Sequence, residues 1–219
     1  MEKDYTYTTY FDIHYLPKGM VMIESLRKVS PTSKIIVLCL DDESLRSMKK
    51  LSYKRVQLIS TKELERKYPK LLIAKKNRPR IEYYWTLTPF LCRYVIETEN
   101  KGVVYLDADM VFYESPAEIF AEMGKNSVGI CPHRFPFYNN RSKYSGWFNV
   151  GWNVFKNTTS SQAVLLSWSD DCITSCTVDK NTCGDQKYLD KWPRDFSGVH
   201  VIAHPGADCA PLELLRIES

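Results

Sequence analysis

Asp107 and Asp109 stand one residue apart at the end of the run Val103-Val104-Tyr105-Leu106. A short apolar run rich in β-branched residues reads as a strand buried on both faces, as in a parallel sheet. Carboxylates at the carboxyl end of such a strand lie where ligands bind in open α/β sheets. Residues i and i+2 of an extended segment point the same way, so the two acids can converge on one point. Carboxylates that close repel unless a cation or proton lies between them. A divalent metal that also holds substrate phosphates suits that place. Asp-x-Asp alone is a common solvated turn, but the apolar lead-in separates this pair from one.

The elements that must position the pair follow from periodicity. A strand is expected over Tyr5–Tyr10, with a loop from Asp12 to Pro17, and a helix over Gly19–Lys28. A strand over Lys34–Leu40, a helix over Ser44–Leu51 capped from Asp42-Glu43-Ser44, and a strand over Arg55–Ile59 come next. This β-α-β-α-β alternation predicts a parallel, doubly wound sheet in an α/β protein. A helix over Thr61–Tyr68, a basic loop over Lys75–Arg80, and a helix over Ile81–Glu97 with Pro89 in its first turn lead to the Asp107 strand. Beyond it are expected a helix over Pro116–Met123, a strand over Ser127–Cys131, and a loop from Pro132 to Gly146 that includes His133, Arg134, Asn139, Asn140 and Arg141. The apolar stretch Trp147–Phe155, a helix over Ser160–Cys176, a helix from Cys183 ended at Pro193, and a strand over Val199–Ile202 complete the reading. Gly151 falls where a side chain would block close approach of a ligand or backbone.

The chain has 219 residues, 44% hydrophobic and 26% charged, with a net charge of +4. This fits one globular domain and lacks the dense basic patterning of a nucleic-acid binder. Seven cysteines, odd in number and irregular in spacing, read as buried thiols in a reducing compartment. Cys172, Cys176 and Cys183 with His204 match no common zinc spacing. No apolar run reaches membrane-spanning length, and the charged N-terminus lacks a signal-peptide core, so a cytoplasmic location is expected.

Several landmarks stand in one order: Thr8-Thr9-Tyr10 with Tyr15-Leu16-Pro17-Lys18-Gly19, Asp107-Ala108-Asp109, Phe148-Asn149-Val150-Gly151, Gly184-Asp185-Gln186-Lys187-Tyr188-Leu189, and His204-Pro205-Gly206. The set resembles the nucleotide-diphospho-sugar transferases of the GT-A fold, in particular the branch of glycogenin and the bacterial lipopolysaccharide galactosyltransferases. The resemblance spans nearly the whole chain. It implies a single Rossmann-like GT-A domain over residues 1–219, with a central, mostly parallel sheet flanked by helices. It also implies a metal-dependent, retaining hexosyltransferase that moves a sugar from a UDP-sugar to a glycan or lipid-linked acceptor. Bacterial cell-surface polysaccharide synthesis, peripheral to the inner face of the membrane, is the setting it suggests.

The same resemblance distributes roles. Asp107, Asp109 and His204 are implied as ligands of Mn2+ or Mg2+, and imidazole suits Mn2+ better. Thr8, Thr9, Tyr10 and Tyr15 match the segment that holds uracil and ribose. Asp107 and Ala108 extend the nucleotide contact, Asn149 and Gly151 match the donor-sugar shelf, and Gly206 lies by the diphosphate. Asp185 and Gln186 match the pair that faces the anomeric carbon, and Asp185 also reads as a helix cap. One departure concerns the end motif, which runs Asp208-Cys209-Ala210-Pro211-Leu212 without the family's usual Trp and Lys. The C-terminal helices by which relatives bind acceptor or membrane are expected to be missing. The alternatives are a degenerate nucleotide-sugar-binding domain, a paired-carboxylate hydrolase, and a sugar nucleotidyltransferase. The last would want a Gly-rich phosphate loop after the first strand.

Overall fold

The computed structural model describes residues 4–135, 142–179 and 183–209. Asn139, Asn140, Arg141, Ala210, Pro211 and Leu212 lie outside the described residues. Seven strands form one sheet: β1 (Tyr5–Phe11), β2 (Lys34–Cys39), β3 (Val56–Ser60), β4 (Gly102–Leu106), β5 (Val128–Pro132), β6 (Phe148–Phe155) and β7 (Val199–Val201). Their order is β3-β2-β1-β4-β6-β5-β7. Every neighbouring pair is parallel except the two that involve β6. The mostly parallel α/β sheet expected from the sequence is therefore present, with β6 inserted against the grain.

The chain leaves β1 for β2 on one side and returns through β4 on the other. A crevice opens at such a switch point, outside the carboxyl ends of the strands. β1 ends there at Tyr10 and Phe11, and β4 runs out there into Asp107.

Alternation sorts the buried side chains into two cores. In β2, Ile36 and Leu38 face one core while Ile35, Val37 and Cys39 face the other. The first core is covered by α5 (Arg80–Glu99) and α8 (Thr159–Thr174), through Leu87, Leu91, Val95 and Trp168. The second is covered by α1 (Leu16–Val29) and α6 (Ala117–Glu122), through Met22, Ile23, Leu26 and Phe120. A sheet covered on both faces explains why its strands carry near-continuous apolar runs.

Several local expectations change. The helix α2 (Asp42–Leu51) starts earlier than expected, because Asp41 is its cap and accepts from the Ser44 amide at 2.6 Å. The expected basic loop is mostly helical: α3 (Thr61–Lys67) is followed by α4 (Lys70–Asn77), and only Arg78 and Pro79 separate it from α5. Lys75 ends up 2.7 Å from Glu65 rather than in solvent alone. Pro89 lies in the middle of α5, not in its first turn. It removes one donor from the ladder, and the burial of Leu87, Phe90 and Leu91 around it carries the helix through. The expected helix after Cys183 is a turn, then a 3-10 segment Lys187–Lys191, then α9 (Trp192–Asp195). Pro193 sits in the first turn of α9, where its missing N–H costs nothing, instead of ending a helix. Gly184 has φ +57, and a Cβ there would come within 2.9 Å of the Trp85 ring, so only glycine fits.

Candidate functional site

A continuous chain of polar groups runs beneath the crevice. The Tyr105 hydroxyl donates to Asp107 Oδ1 at 3.0 Å. The ring of Tyr105 lies 5.9 Å from that of Tyr10, and the Tyr10 hydroxyl is 3.3 Å from Thr88 Oγ1. Thr88 in turn hydrogen-bonds the Asp185 carboxylate. Asp107 and Asp185, 78 residues apart in sequence, are thus joined through side chains of β1, β4 and α5. Each end is also fixed through its backbone. The Asp107 amide donates to Gly151 O at 2.9 Å, and Trp168 Nε1 donates to Asp185 O at 2.8 Å.

The electrostatics follow from this confinement. Burial pushes the Asp107 carboxyl up to about 6, the nearby Asp109 charge adds to the rise, and the Tyr105 hydroxyl opposes it. Burial likewise pushes Asp185 up to about 7, with Asp107 adding and Thr88 opposing. The phenols of Tyr10 and Tyr105 are raised well above their usual range by the same burial and the same acids. Removal from water disfavours the charged form, and like charges disfavour it further. Asp109 is exposed, with its carboxylate 3.3 Å from Lys18 Nζ, and Lys18 lies 4.5 Å over the Tyr15 ring. Ala108 between the two acids is buried. A buried carboxylate raised by desolvation, with a second exposed carboxylate two residues on, fits a divalent cation, whose charge would relieve the desolvation and repulsion felt by Asp107.

The remaining expected residues fall into separate places. Thr8 and Thr9 are buried, and the Thr8 hydroxyl donates to Ile36 O at 2.9 Å. The Thr9 hydroxyl is buried without a hydrogen-bond partner among the described residues. Tyr15 is half exposed at the start of α1, on a turn that Asp12 shapes by accepting from the His14 and Tyr15 amides. Asn149 donates to Asp208 Oδ2 at 2.8 Å, and a Cβ on Gly151 would meet Asp208 Oδ1 at 2.7 Å. The close approach expected at Gly151 therefore comes from a carboxylate of the same chain. Gln186 Nε2 donates to Ser145 O at 2.7 Å, in α7 (Ser142–Ser145).

His204 stands apart from the aspartates. Its Nε2 is 3.2 Å from Glu118 Oε2, and its Nδ1 accepts from the Gly206 amide at 3.2 Å. Among the described residues no group of three or more His, Cys, Asp or Glu side chains has a metal-binding arrangement. The same holds for Cys172, Cys176 and Cys183, which are free thiols. Sequence reasoning missed Tyr105, Thr88, Asp208 and Lys18. Only Tyr105 carried a local signal, since it lies two residues before Asp107 and so shares its side of the strand.

The sheet order, the β6 insertion and the crevice at the ends of β1 and β4 define a GT-A fold, shared with solved glycosyltransferases. GlyE of Streptococcus pneumoniae TIGR4 superimposes with a TM-score of 0.59 at 18% identity, covering 91% of this chain and 45% of that one. The galactosyltransferase LgtC, solved with donor and acceptor sugar analogs, gives 0.52 at 14%, covering 90% and 72%. Core-mannan synthase A of Aspergillus fumigatus, in its Mn/GDP form, gives 0.54 at 9%, also covering 90% and 72%. The chain belongs to glycosyl transferase family 8, whose family model matches residues 7–172. That match takes in Asp107, Asp109 and Asn149 and ends before Asp185 and His204. The uncharacterized protein YfnD of Bacillus subtilis (strain 168) is 34% identical over 200 residues, 88% of this chain and 64% of that protein. YfnF of the same strain is 28% identical over 213 residues, 92% of this chain and 70% of that one. The chain thus spans under two thirds of the length of YfnD and under half of GlyE. Among the described residues no helix is long and apolar enough to cross a membrane.

Proposed function

We propose that this chain transfers a glycosyl group from a nucleoside-diphosphate sugar, with UDP as the nucleotide, to a glycan or lipid-linked acceptor. The observation that carries this is the Asp107-Ala108-Asp109 turn at the carboxyl end of β4, where burial raises the Asp107 carboxyl and a buried hydroxyl chain joins it to Asp185. The Mn/GDP form of the mannan synthase and the sugar-analog complex of LgtC belong to proteins of this fold.

In this reading Asp107 and Asp109 hold Mn2+ or Mg2+, which would neutralise the charge that grows on the departing diphosphate. His204 completes the set by turning its ring from Glu118, and an imidazole there favours Mn2+. Tyr15 and the segment Thr8-Thr9-Tyr10 border the uridine. Asn149 and Gly151 form the sugar shelf, with Asp208 against it. Asp185, buried and fixed by Thr88 and Trp168, faces the anomeric centre with Gln186 and stabilises the positive charge that develops there. The outcome assigned is retention. The setting assigned is cell-surface glycan assembly at the cytosolic membrane face, in keeping with seven free thiols.

A second reading, a nucleotide-sugar-binding domain without turnover, is favoured by the engagement of both His204 ring nitrogens elsewhere. Calorimetric titration of UDP with and without Mn2+, followed by assay of UDP-sugar hydrolysis, separates the two. The leading reading expects metal-dependent UDP binding and slow donor hydrolysis, both abolished in Asp109→Ala with an unchanged circular dichroism spectrum. Metal-independent binding would sink it. Binding without hydrolysis of any UDP-sugar supports the second.

A further inference from the structure

The basic run before α5 has no part in the site described so far. Between Glu65 and Glu82 the chain carries seven Lys or Arg side chains and no acid. Burial of Leu71 and Ala74 fixes which side of α4 faces the core. Helical spacing then puts Leu72, Ile73 and Lys76 together on the opposite side. That side is open: Leu72 is 44% and Ile73 63% exposed, with Lys76 exposed beside them. Ile81, in the first turn of α5, is 52% exposed, and its neighbour Arg80 is exposed too. Some of the cations are held by the fold. Lys67 pairs with Glu97 and Lys75 with Glu65, and Arg78 turns inward onto Cys172 O and Ile173 O. Arg78 thereby fixes the junction of α4 and α5 to the end of α8. Lys70 meets Asp170 at 3.4 Å, with both side chains mostly exposed. We propose that the outer face of α4, with the start of α5, docks on a bilayer surface rich in anionic lipid.

The chemistry of the face and its place in the fold choose this occupant. Aliphatic side chains ringed by cations suit the boundary between headgroups and acyl chains: Leu72, Ile73 and Ile81 enter it while Lys70, Lys76 and Arg80 meet lipid phosphates. A single-stranded nucleic acid would call for rings on which bases stack, and the outer face of α4 presents none. The place follows from the course of α5. Thr88 hydrogen-bonds Asp185. One turn farther out, the Tyr84 phenol is raised first by burial and also feels Arg80, Asp12 and Asp41. Asp12 and Asp41 lie just past the carboxyl ends of β1 and β2. Ile81 stands about 10 Å beyond Thr88 along the helix axis, at 1.5 Å per residue. The proposed face therefore lies at the crevice end of the molecule. A lipid-linked acceptor would meet the crevice without leaving the bilayer. That consequence rests on the transferase reading, whereas the docking itself does not.

The test is co-sedimentation of the 219-residue chain with vesicles of one part phosphatidylglycerol to three parts phosphatidylcholine. Salt is held at about 0.1 M, where exposed charges farther apart than roughly 10 Å are screened. The chain should bind these vesicles, bind pure phosphatidylcholine at least about tenfold more weakly, and come off as salt is raised. Lys76→Gln with Arg80→Gln should weaken binding by about 25-fold, close to fivefold for each cation near the surface. Leu72→Ser with Ile73→Ser should weaken it by at least about tenfold with net charge unchanged. Lys49→Gln with Lys50→Gln removes the same charge from the last turn of α2, at the opposite end of the sheet, and should leave binding within about twofold. All six positions are exposed, so none of these changes enters the core. Absence of binding to the anionic vesicles, equal binding to both kinds of vesicle, or an equal loss on changing Lys49 and Lys50 would overturn the proposal. So would a vesicle-free dimer that Leu72→Ser with Ile73→Ser abolishes, since it would assign the face to a second copy of the chain. The assay holds no sugar donor, so failure of docking and failure of the transferase reading are seen separately.

Discussion

Asp185 is 6% exposed, and its carboxyl is held at about 7 by burial and by the charge of Asp107. An unfolded aspartate ionises near 3.8. Between those values the unfolded chain releases a proton that the folded chain keeps. The contribution of Asp185 to stability is therefore fully present below about pH 4 and lost as pH rises towards 7. A rise of roughly three pH units caps the effect at about 4 kcal/mol. Asp185→Asn keeps an acceptor for Thr88 but cannot ionise. Urea unfolding should place it near the wild type at pH 4.5 and above it at pH 8; an equal difference at both pH values would show that the acid is not raised. Asp107, Asp109 and Asp185 were legible in the sequence because each sits in a short motif beside an apolar run or a glycine. Lys18, Glu122, Arg134 and Asp208 were not. Each acts on a partner 59 to 91 residues away, and no local spacing encodes such a pairing.

Arg78 shows the same limit between elements. In sequence it belongs to a basic run that reads as a solvated loop or a phosphate clamp. In the fold it sits between α4 and α5 and reaches the end of α8, donating to Cys172 O, Ile173 O and Thr86 Oγ1. The last carbonyls of a helix lack intrahelical partners, and a guanidinium fork can satisfy two of them together. Arg78→Ala should lower unfolding stability by about 2–4 kcal/mol in urea titrations, since charge-assisted bonds are lost and partly buried carbonyls are left unpaired. Arg78→Lys should recover less than half of that. A loss below about 0.5 kcal/mol for Arg78→Ala, typical of a surface change, would show that the bonds carry no weight. Helix α8 itself was legible within two residues at either end, because its apolar spacing is local. The break between α4 and α5 was not, because Lys75 and Arg78 carry no sign of the acid or the carbonyls that receive them.

Across the whole molecule, the core and the site share parts. Strand existence was readable from apolar runs, and the opening alternation gave the parallel half of the sheet. The reversal at β6 was not readable, because a run such as Phe148–Phe155 is equally apolar in either direction. That reversal matters to the site: it brings Gly151 O onto the Asp107 amide and Asn149 beside Asp208. On the opposite side of β6, Phe155, Trp168 and Trp192 form a fully buried aromatic cluster, with the two indoles 5.2 Å apart and edge-on. Trp168 reaches from this cluster to the site through its bond to Asp185 O. Trp168→Phe keeps an aromatic ring in the core but strips that donor from a buried carbonyl, at a cost of about 1–3 kcal/mol. If the core positions Asp185, the variant should hydrolyse UDP-sugar more slowly while binding UDP with Mn2+ as tightly as the wild type. Loss of stability with hydrolysis unchanged would confine Trp168 to packing. Parallel loss of UDP affinity would mean that the nucleotide end depends on this cluster too, which the separate anchoring of Asp107 through Gly151 argues against.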